Sequence, residues 1–344
     1  MCAVLCVILE HNTYYMKKNI LITGGAGFIG SSLAFEIQSR FPEYTITIFD
    51  KFNNSEKREN GNYICFGDYK NLIGLKAEII TGDLANESDI SNLLKNKFDI
   101  IFHQGAISDT TVLNQNEVLK INSISFKYFV SYCVANNCKL IYTSSAGTYG
   151  NSASPNRVEF GEIPENIYGF SKLQMDEITR AYLNSNENLH IVGLRYFNVY
   201  GPREIFKRRT SSMILQLAKQ AIENKTVRLF KYGEQSRDFV YIKDVVEANI
   251  LAIEGQSGIY NIGSGISRSF NDIINILEIN LDQKIQVEYF ENPYSFYQNN
   301  TCAELDNSQV GLGYVPKYTL EKGIREYVNE IKKYSTNIWK SYNE

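Results

Sequence analysis

The chain has 344 residues, 44% of them hydrophobic and 21% charged, with a formal net charge of −3. This is the make-up of a globular protein large enough to split into two lobes, and it leaves no basic footprint for nucleic acid. No apolar run approaches the ~20 residues that cross a membrane. Three histidines and six irregularly spaced cysteines (Cys2, Cys6, Cys65, Cys133, Cys138, Cys302) argue against a metal cluster and for a reducing, cytoplasmic compartment.

Residues 1–15 read as a dispensable extension. The apolar stretch Ala3 to Leu9 is short and lacks both a basic leader and a clear cleavage site, which argues against a secretory signal. Asn19 to Thr23 then reads as a buried parallel strand. It runs into Gly24-Gly25-Ala26-Gly27-Phe28-Ile29-Gly30, after which Leu33, Ala34, Ile37 and Phe41 recur at helical spacing. A glycine fingerprint in that strand–loop–helix setting predicts a dinucleotide site. Gly24 permits the turn, Gly27 lets the backbone approach a pyrophosphate, and Gly30 lets helix and strand pack closely. Phe28 and Ile29 open the helix whose N-terminal amides would face that anion.

Asp50 ends the next strand, Tyr44 to Phe49, about 20 residues past the loop, where an acid accepts a ribose hydroxyl and selects NAD. Lys51, Lys57 and Arg58 follow, however, and either meet the extra phosphate of NADP or form a solvated loop. The residues alone leave the two cofactors open. Asp83 closes the strand Ala77 to Thr81 and is placed for the adenine. His103-Gln104-Gly105-Ala106 closes Asp99 to Phe102, with small residues that admit a cofactor and a histidine better suited to a structural hydrogen bond.

A further strand, Lys139 to Thr143, leads to Ser144 and Ser145, and Leu189 to Arg195 is the next. Beyond it the alternation becomes irregular, with a loop at Gly201-Pro202-Arg203, a helix near Ser211 to Glu223, a helix opened by Ser269 and running to Leu281, and a last helix at Thr319 to Tyr334. The expected fold is α/β, a Rossmann-type doubly wound parallel sheet with a smaller mixed α/β C-terminal substrate-binding lobe. Residues 16–196, with a return at about 238–262, form the dinucleotide domain, and 197–237 and 263–344 the substrate lobe.

Tyr168 and Lys172 lie four residues apart, so on a helix their side chains share a face. A free tyrosine, with a pKa near ~10, is a poor base at neutral pH, and a neighbouring cation is expected to lower that value. Ser145 would bridge to the oxygen being oxidised. The Tyr-x-x-x-Lys spacing arises by chance on the solvated helices of a chain with 24 tyrosines, but behind a dinucleotide loop and beside Ser145 it reads as acid/base machinery.

With these residues in place the chain resembles the extended short-chain dehydrogenase/reductases, many of which rework nucleotide sugars, from Asn19 to the C-terminus. The stretches Ser144 to Gly150, Tyr168 to Lys172, Arg195 to Glu204 and Arg237 to Tyr241, with Ser108-Asp109-Thr110-Thr111, narrow the resemblance to the subgroup that inverts C6 of a heptose carried on ADP for lipopolysaccharide core. That resemblance implies tightly held NADP, a soluble homo-oligomer (a pentamer) and no membrane or nucleic-acid partner. It adds Ser108, Asn122 and Val199 to the cofactor contacts. It places Ser145, Asn198, Arg209, Gln216, Phe230, Lys231, Tyr232, Gly233, Arg237 and Tyr297 at the nucleotide sugar. It offers Lys207 as a second base opposite Tyr168, for which a phosphate-neutralising or solvated lysine is the equal alternative. Inversion through a transient ketone needs such a pair, because a carbinol hydrogen beside no carbonyl is not acidic. Arg208 and Arg209 stand where the subgroup pattern is shorter, and Gln216 where it often has histidine. Other 4-epimerases, reductases and a silent dinucleotide-binding regulator are the competing readings. Regulators usually lose the tyrosine or the lysine, and both are present here.

Overall fold

The computed structural model describes residues 17–185, 188–291 and 300–334. Twelve strands follow one another as β1 (Asn19–Thr23), β2 (Thr45–Asp50), β3 (Glu78–Thr81), β4 (Ile100–His103), β5 (Lys139–Ser145), β6 (Ile191–Tyr196), β7 (Asn198–Tyr200), β8 (Thr226–Phe230), β9 (Ser236–Tyr241), β10 (Gly258–Ile262), β11 (Ser267–Ser269) and β12 (Gln286–Phe290). Seven form one parallel sheet in the order β10-β6-β5-β4-β1-β2-β3. Its strands are continuous apolar runs because both faces are covered. In β1, Ile20 and Ile22 point into one core while Leu21 points into the other, and Ile100, Phe102 and Ile101 divide in the same way.

The strand order reverses between β1 and β4, which leaves a crevice at their carboxyl ends. The glycine loop leaves β1 at that point and opens the helix Phe28–Arg40. Helix Ile167–Ser185, which carries Tyr168 and Lys172, is locked to the sheet by a buried charge network. Asp176 accepts from Tyr142 Oη at 2.8 Å, from Ser144 Oγ at 2.9 Å and from Arg195 Nε at 2.8 Å. Arg195 also donates to Glu162 at 2.6 Å, and Glu162 pairs with Arg180 at 2.9 Å. Removing one partner from such a buried pair costs about 3–5 kcal/mol.

The C-terminal lobe is built from the small sheets β11-β9-β7 and β12-β8 and three capped helices. Helix Met213–Asn224 starts after Ser212, which accepts from Leu215 N, and Phe270–Leu281 has the full capping box of Ser269 and Asp272. Thr319 caps Leu320–Ile331. These bounds fall within a few residues of the sequence expectation because the caps themselves are local. The short strands β7, β8, β11 and β12 lie outside the sequence expectation. They are three to five residues long, too short for alternation to mark them, and their pairing is set by the packing of the lobe. One continuous apolar core runs from Ile20 to Ile331 through both lobes.

Candidate active site

A cleft of ≈ 500 Å³ opens between the lobes at the carboxyl ends of the parallel strands. Its floor is the glycine loop, where Gly24 has φ +65 and a Cβ would lie 2.6 Å from Gly105 Cα. A Cβ on Gly30 would lie 2.3 Å from Gly24 O, so the helix sits against the turn as closely as glycine allows. Helix Phe28–Arg40 begins at Gly27 with no side-chain cap, which leaves its first amides for an anion in the cleft. Gly24, Gly27, Phe28, Ile29 and Gly30 all line the cleft, and a Cβ on Gly27 would meet only Gly24 O, at 3.2 Å. The donor set and the bare backbone fit a dinucleotide pyrophosphate.

Asp50 is buried and accepts from Ala26 N at 2.9 Å and Phe52 N at 3.0 Å, so it also pins the glycine loop. Burial pushes its carboxyl above the usual range against the pull of those amides. Lys51 pairs with Asp83 at 2.8 Å, and both line the cleft. Gly105, Ala106, Ser108 and Val199 line it too, as does Gln104, whose amide donates to Asn249 Oδ1 at 3.0 Å and accepts from Tyr196 Oη at 3.2 Å. Lys57 does not; its ammonium lies 4.9 Å from the centre of the Tyr63 ring. Asn122 stands behind the wall, donating to Ile107 O at 3.1 Å and to Ser171 Oγ at 2.9 Å and accepting from Ile107 N at 2.8 Å. His103 is neutral in the core, its pKa lowered to about 3 by burial, with Nδ1 3.0 Å from Thr23 Oγ1.

Ser145, Tyr168 and Lys172 come together on one wall. Ser145 accepts from Gly147 N at 3.0 Å and hydrogen-bonds Tyr168. The Lys172 ammonium donates to Thr143 O at 2.8 Å, and burial lowers its pKa to about 7, against the pull of Asp176. Tyr168 departs from the sequence expectation. Burial pushes its phenol above the ordinary value, and the Ser145 hydrogen bond only partly reverses this. Burial also pulls down the pKa of the lysine expected to lower it.

Lys207 lines the same cleft from the turn Glu204–Thr210. Burial lowers its pKa, while Glu204 and Asp109 pull it back. Asp109 is held ionised by Thr111, Asn62 and Asn60 despite burial. Glu204 and Asp109 fall within sequence motifs whose spacing gives no sign that both carboxylates act on Lys207. Only their position beside a lysine in three dimensions reveals it.

Asn198 and Gln216 line the cleft, and Gln216 donates to Ser211 O at 2.8 Å. Arg209, Phe230, Lys231, Tyr232, Gly233 and Arg237 lie off it. Phe230 packs edge-on against Phe290 at 4.9 Å, and Lys231 pairs with Glu291 at 2.5 Å. Tyr232 is 62% exposed, a Cβ on Gly233 would meet Asn271 Oδ1 at 2.2 Å, and Arg237 donates to Ser236 O at 2.8 Å. The β8–β9 turn that carries most of them is drawn toward β12 by strand pairing. Tyr297 lies outside the described residues. Among the described residues, no group of His, Cys, Asp and Glu is placed to hold a metal ion, and no helix is long and apolar enough to cross a membrane.

A doubly wound sheet with a glycine cradle, and with tyrosine and lysine beside it, defines a dinucleotide-binding class with acid/base groups at the cofactor cleft. Residues 20–263 match the NAD dependent epimerase/dehydratase family, and the chain belongs to it. It is 33% identical over 322 residues, 91% of this chain and 98% of the other, to ADP-L-glycero-D-manno-heptose-6-epimerase of Brachyspira hyodysenteriae. The crystal structure of the Helicobacter pylori enzyme of that name superposes with a TM-score of 0.84 at 46% identity, covering 92% of this chain and 97% of that one. A UDP-glucuronic acid 4-epimerase mutant from Bacillus cereus, in complex with a fluorinated UDP-sugar and NAD, matches at 27% identity and a TM-score of 0.79, covering 92% and 99%.

Proposed function

We propose that the chain inverts C6 of the heptose in ADP-D-glycero-D-manno-heptose to give the L-glycero epimer, a precursor for lipopolysaccharide core. The observation that carries this is a pair of half-buried acid/base groups, Tyr168 and Lys207, lining one cleft from different elements of a chain similar to two enzymes of that name. A bound nicotinamide dinucleotide, NADP in this reading, supplies a hydride acceptor that later returns the hydride.

The glycine loop and the first amides of Phe28–Arg40 hold the pyrophosphate. Asp50 keeps that loop in shape, and Lys51, paired with Asp83, would stand beside the adenosine end. Tyr168 takes the proton of the hydroxyl being oxidised while Ser145 holds the same oxygen. Lys172, fixed by Thr143 O, orients this end of the site. After the ketone turns over and is reduced on its other face, Lys207 donates the proton that makes the new hydroxyl, and exchange with solvent returns Tyr168 and Lys207 to their starting states. Asn198 and Gln216 line the space for the sugar.

Incubation with ADP-D-glycero-D-manno-heptose and with rival nucleotide sugars, followed by NMR of the products, tests the reading. Inversion confined to C6 of the heptose is expected, with NADP released from denatured protein. Inversion at C4 of a UDP-sugar, or net reduction of added cofactor, would replace it with a 4-epimerase or a dehydrogenase. A homo-oligomer and a cytoplasmic setting complete the proposal. The first rests on family resemblance and is read by sedimentation. The second rests on the free Cys65, Cys133, Cys138 and Cys302 and is read by cell fractionation.

A further inference from the structure

Residues 53–67 form a strap closed on itself. Asn53 N donates to Gly67 O at 2.8 Å, Ile64 N donates to Glu56 O at 3.0 Å, and Lys57 bridges to Tyr63. Ile64, Cys65, Phe66 and Gly67 line the cleft in company with Asp50. The strap is fastened to the dinucleotide lobe by the Arg58–Glu117 ion pair at 2.8 Å, and by Asn60 and Asn62, which donate to Asp109 at 3.0 and 2.8 Å.

The turn that carries Lys207 is held at its ends and at its middle. Buried Glu204 draws the ends together, accepting from Gly201 N at 3.1 Å, Ser212 N at 2.6 Å and Ser212 Oγ at 2.8 Å. Arg208 forms the middle, with φ 54 and ψ −123, a conformation a side chain adopts only where its surroundings impose it. What meets it is the strap: the guanidinium carbon lies 4.0 Å from the centre of the buried Tyr63 ring.

We propose that Arg208 stacked on Tyr63 is a clasp that fastens the Lys207 turn to the cofactor-side strap, making Arg208 and Tyr63 positioning residues for the second acid/base group. The role of Lys207 is taken from the proposed function. Arg208 adjoins Lys207, so any movement of the stacked guanidinium is passed directly to the lysine backbone. Because the strap also lines the cofactor end of the cleft, a contact that favours the seated turn favours the seated strap by the same factor. The stretch in which the chain departs from its subgroup pattern thereby acquires a use.

Limited trypsin digestion of the holoenzyme reads the clasp without relying on activity. Tyr63→Leu removes the ring but keeps the cleavage sites at Lys207, Arg208 and Arg209. Faster cutting there is expected, with faster cofactor release and a kcat lowered about 3- to 30-fold, the range one cation–π contact supports. KM should hardly move. Tyr63→Phe keeps the ring and should behave as the parent, while Arg208→Ala should reproduce the kinetic losses of Tyr63→Leu and serves if that variant does not fold. Parental cutting, release and kcat in Tyr63→Leu, or parental release and kcat in Arg208→Ala, would overturn the clasp. If Lys207→Met keeps full turnover, the base reading fails, and faster cutting in Tyr63→Leu still supports the clasp on its own.

Discussion

The cleft is lined by two lysines, Lys172 buried and Lys207 half-buried, and they are positioned by opposite means. Lys172 rides on a helix whose register is fixed four residues on by Asp176, itself held by Tyr142, Ser144 and Arg195. Its ammonium donates to Thr143 O at 2.8 Å and more weakly to Met175 Sδ at 3.8 Å. Lys207 sits on a short turn with no such backing, and its place comes from tethers to other parts of the chain, Glu204 at the ends and Arg208 at Tyr63. A helix delivers a side chain by periodicity, whereas a turn delivers one only if something distant holds it. The electrostatics differ to match. Lys172 is desolvated with one carboxylate to pull its pKa back, and Lys207 is desolvated with two, from different elements.

Breaking the helical wall should have the largest effect. Tyr168→Phe is expected to lower turnover on the order of 10²–10⁴-fold while the circular dichroism spectrum and melting temperature hold. Near-normal turnover would remove the tyrosine from the chemistry.

Lys207→Met tests the other wall. Inversion should slow by about 10²-fold, with cofactor retained and the fold intact. A rise in KM alone would make Lys207 a binding cation and the walls unequal in kind.

Ser145→Ala removes a hydroxyl that supports Tyr168 without carrying the proton itself. The expected loss in kcat is about 10-fold, the worth of one good hydrogen bond. A loss as large as that of Tyr168→Phe would give Ser145 an acid/base role of its own.

The smallest effect is on stability. Burial lowers the Lys172 pKa from 10.5 to about 7, so the unfolded chain holds a proton in that window that the folded chain has released. Stability therefore rises with pH across the window, and the burial cost is at full size below it. Lys172→Met removes that cost. Its melting temperature should exceed the parent's by a few degrees at about pH 6.5, and the gap should narrow by about pH 9.5. The same comparison for Lys207→Met should narrow less, because Glu204 and Asp109 already offset part of its burial. Equal slopes would show that the two lysines are held alike.

The sequence by itself determined what is local. A buried apolar run followed by glycines dictates strand, turn and helix N-terminus, because φ +65 at Gly24 favours glycine and a Cβ there or on Gly30 would collide with backbone. Helical periodicity put Tyr168 and Lys172 on one face, and the caps at Ser269 and Thr319 marked where helices begin. The tertiary structure decided the rest. The direction of the Tyr168 pKa depends on how much water is excluded around it, which no spacing encodes. Glu204 and Asp109 came to pull on the charge of Lys207, and Tyr63 became the seat of Arg208, because elements far apart in the chain close on one cleft. Phe230 to Gly233 and Arg237 fell outside that cleft because pairing of β8 with β12 and of β9 with β11 fixes the turn between them elsewhere, a choice made by the packing of the whole lobe.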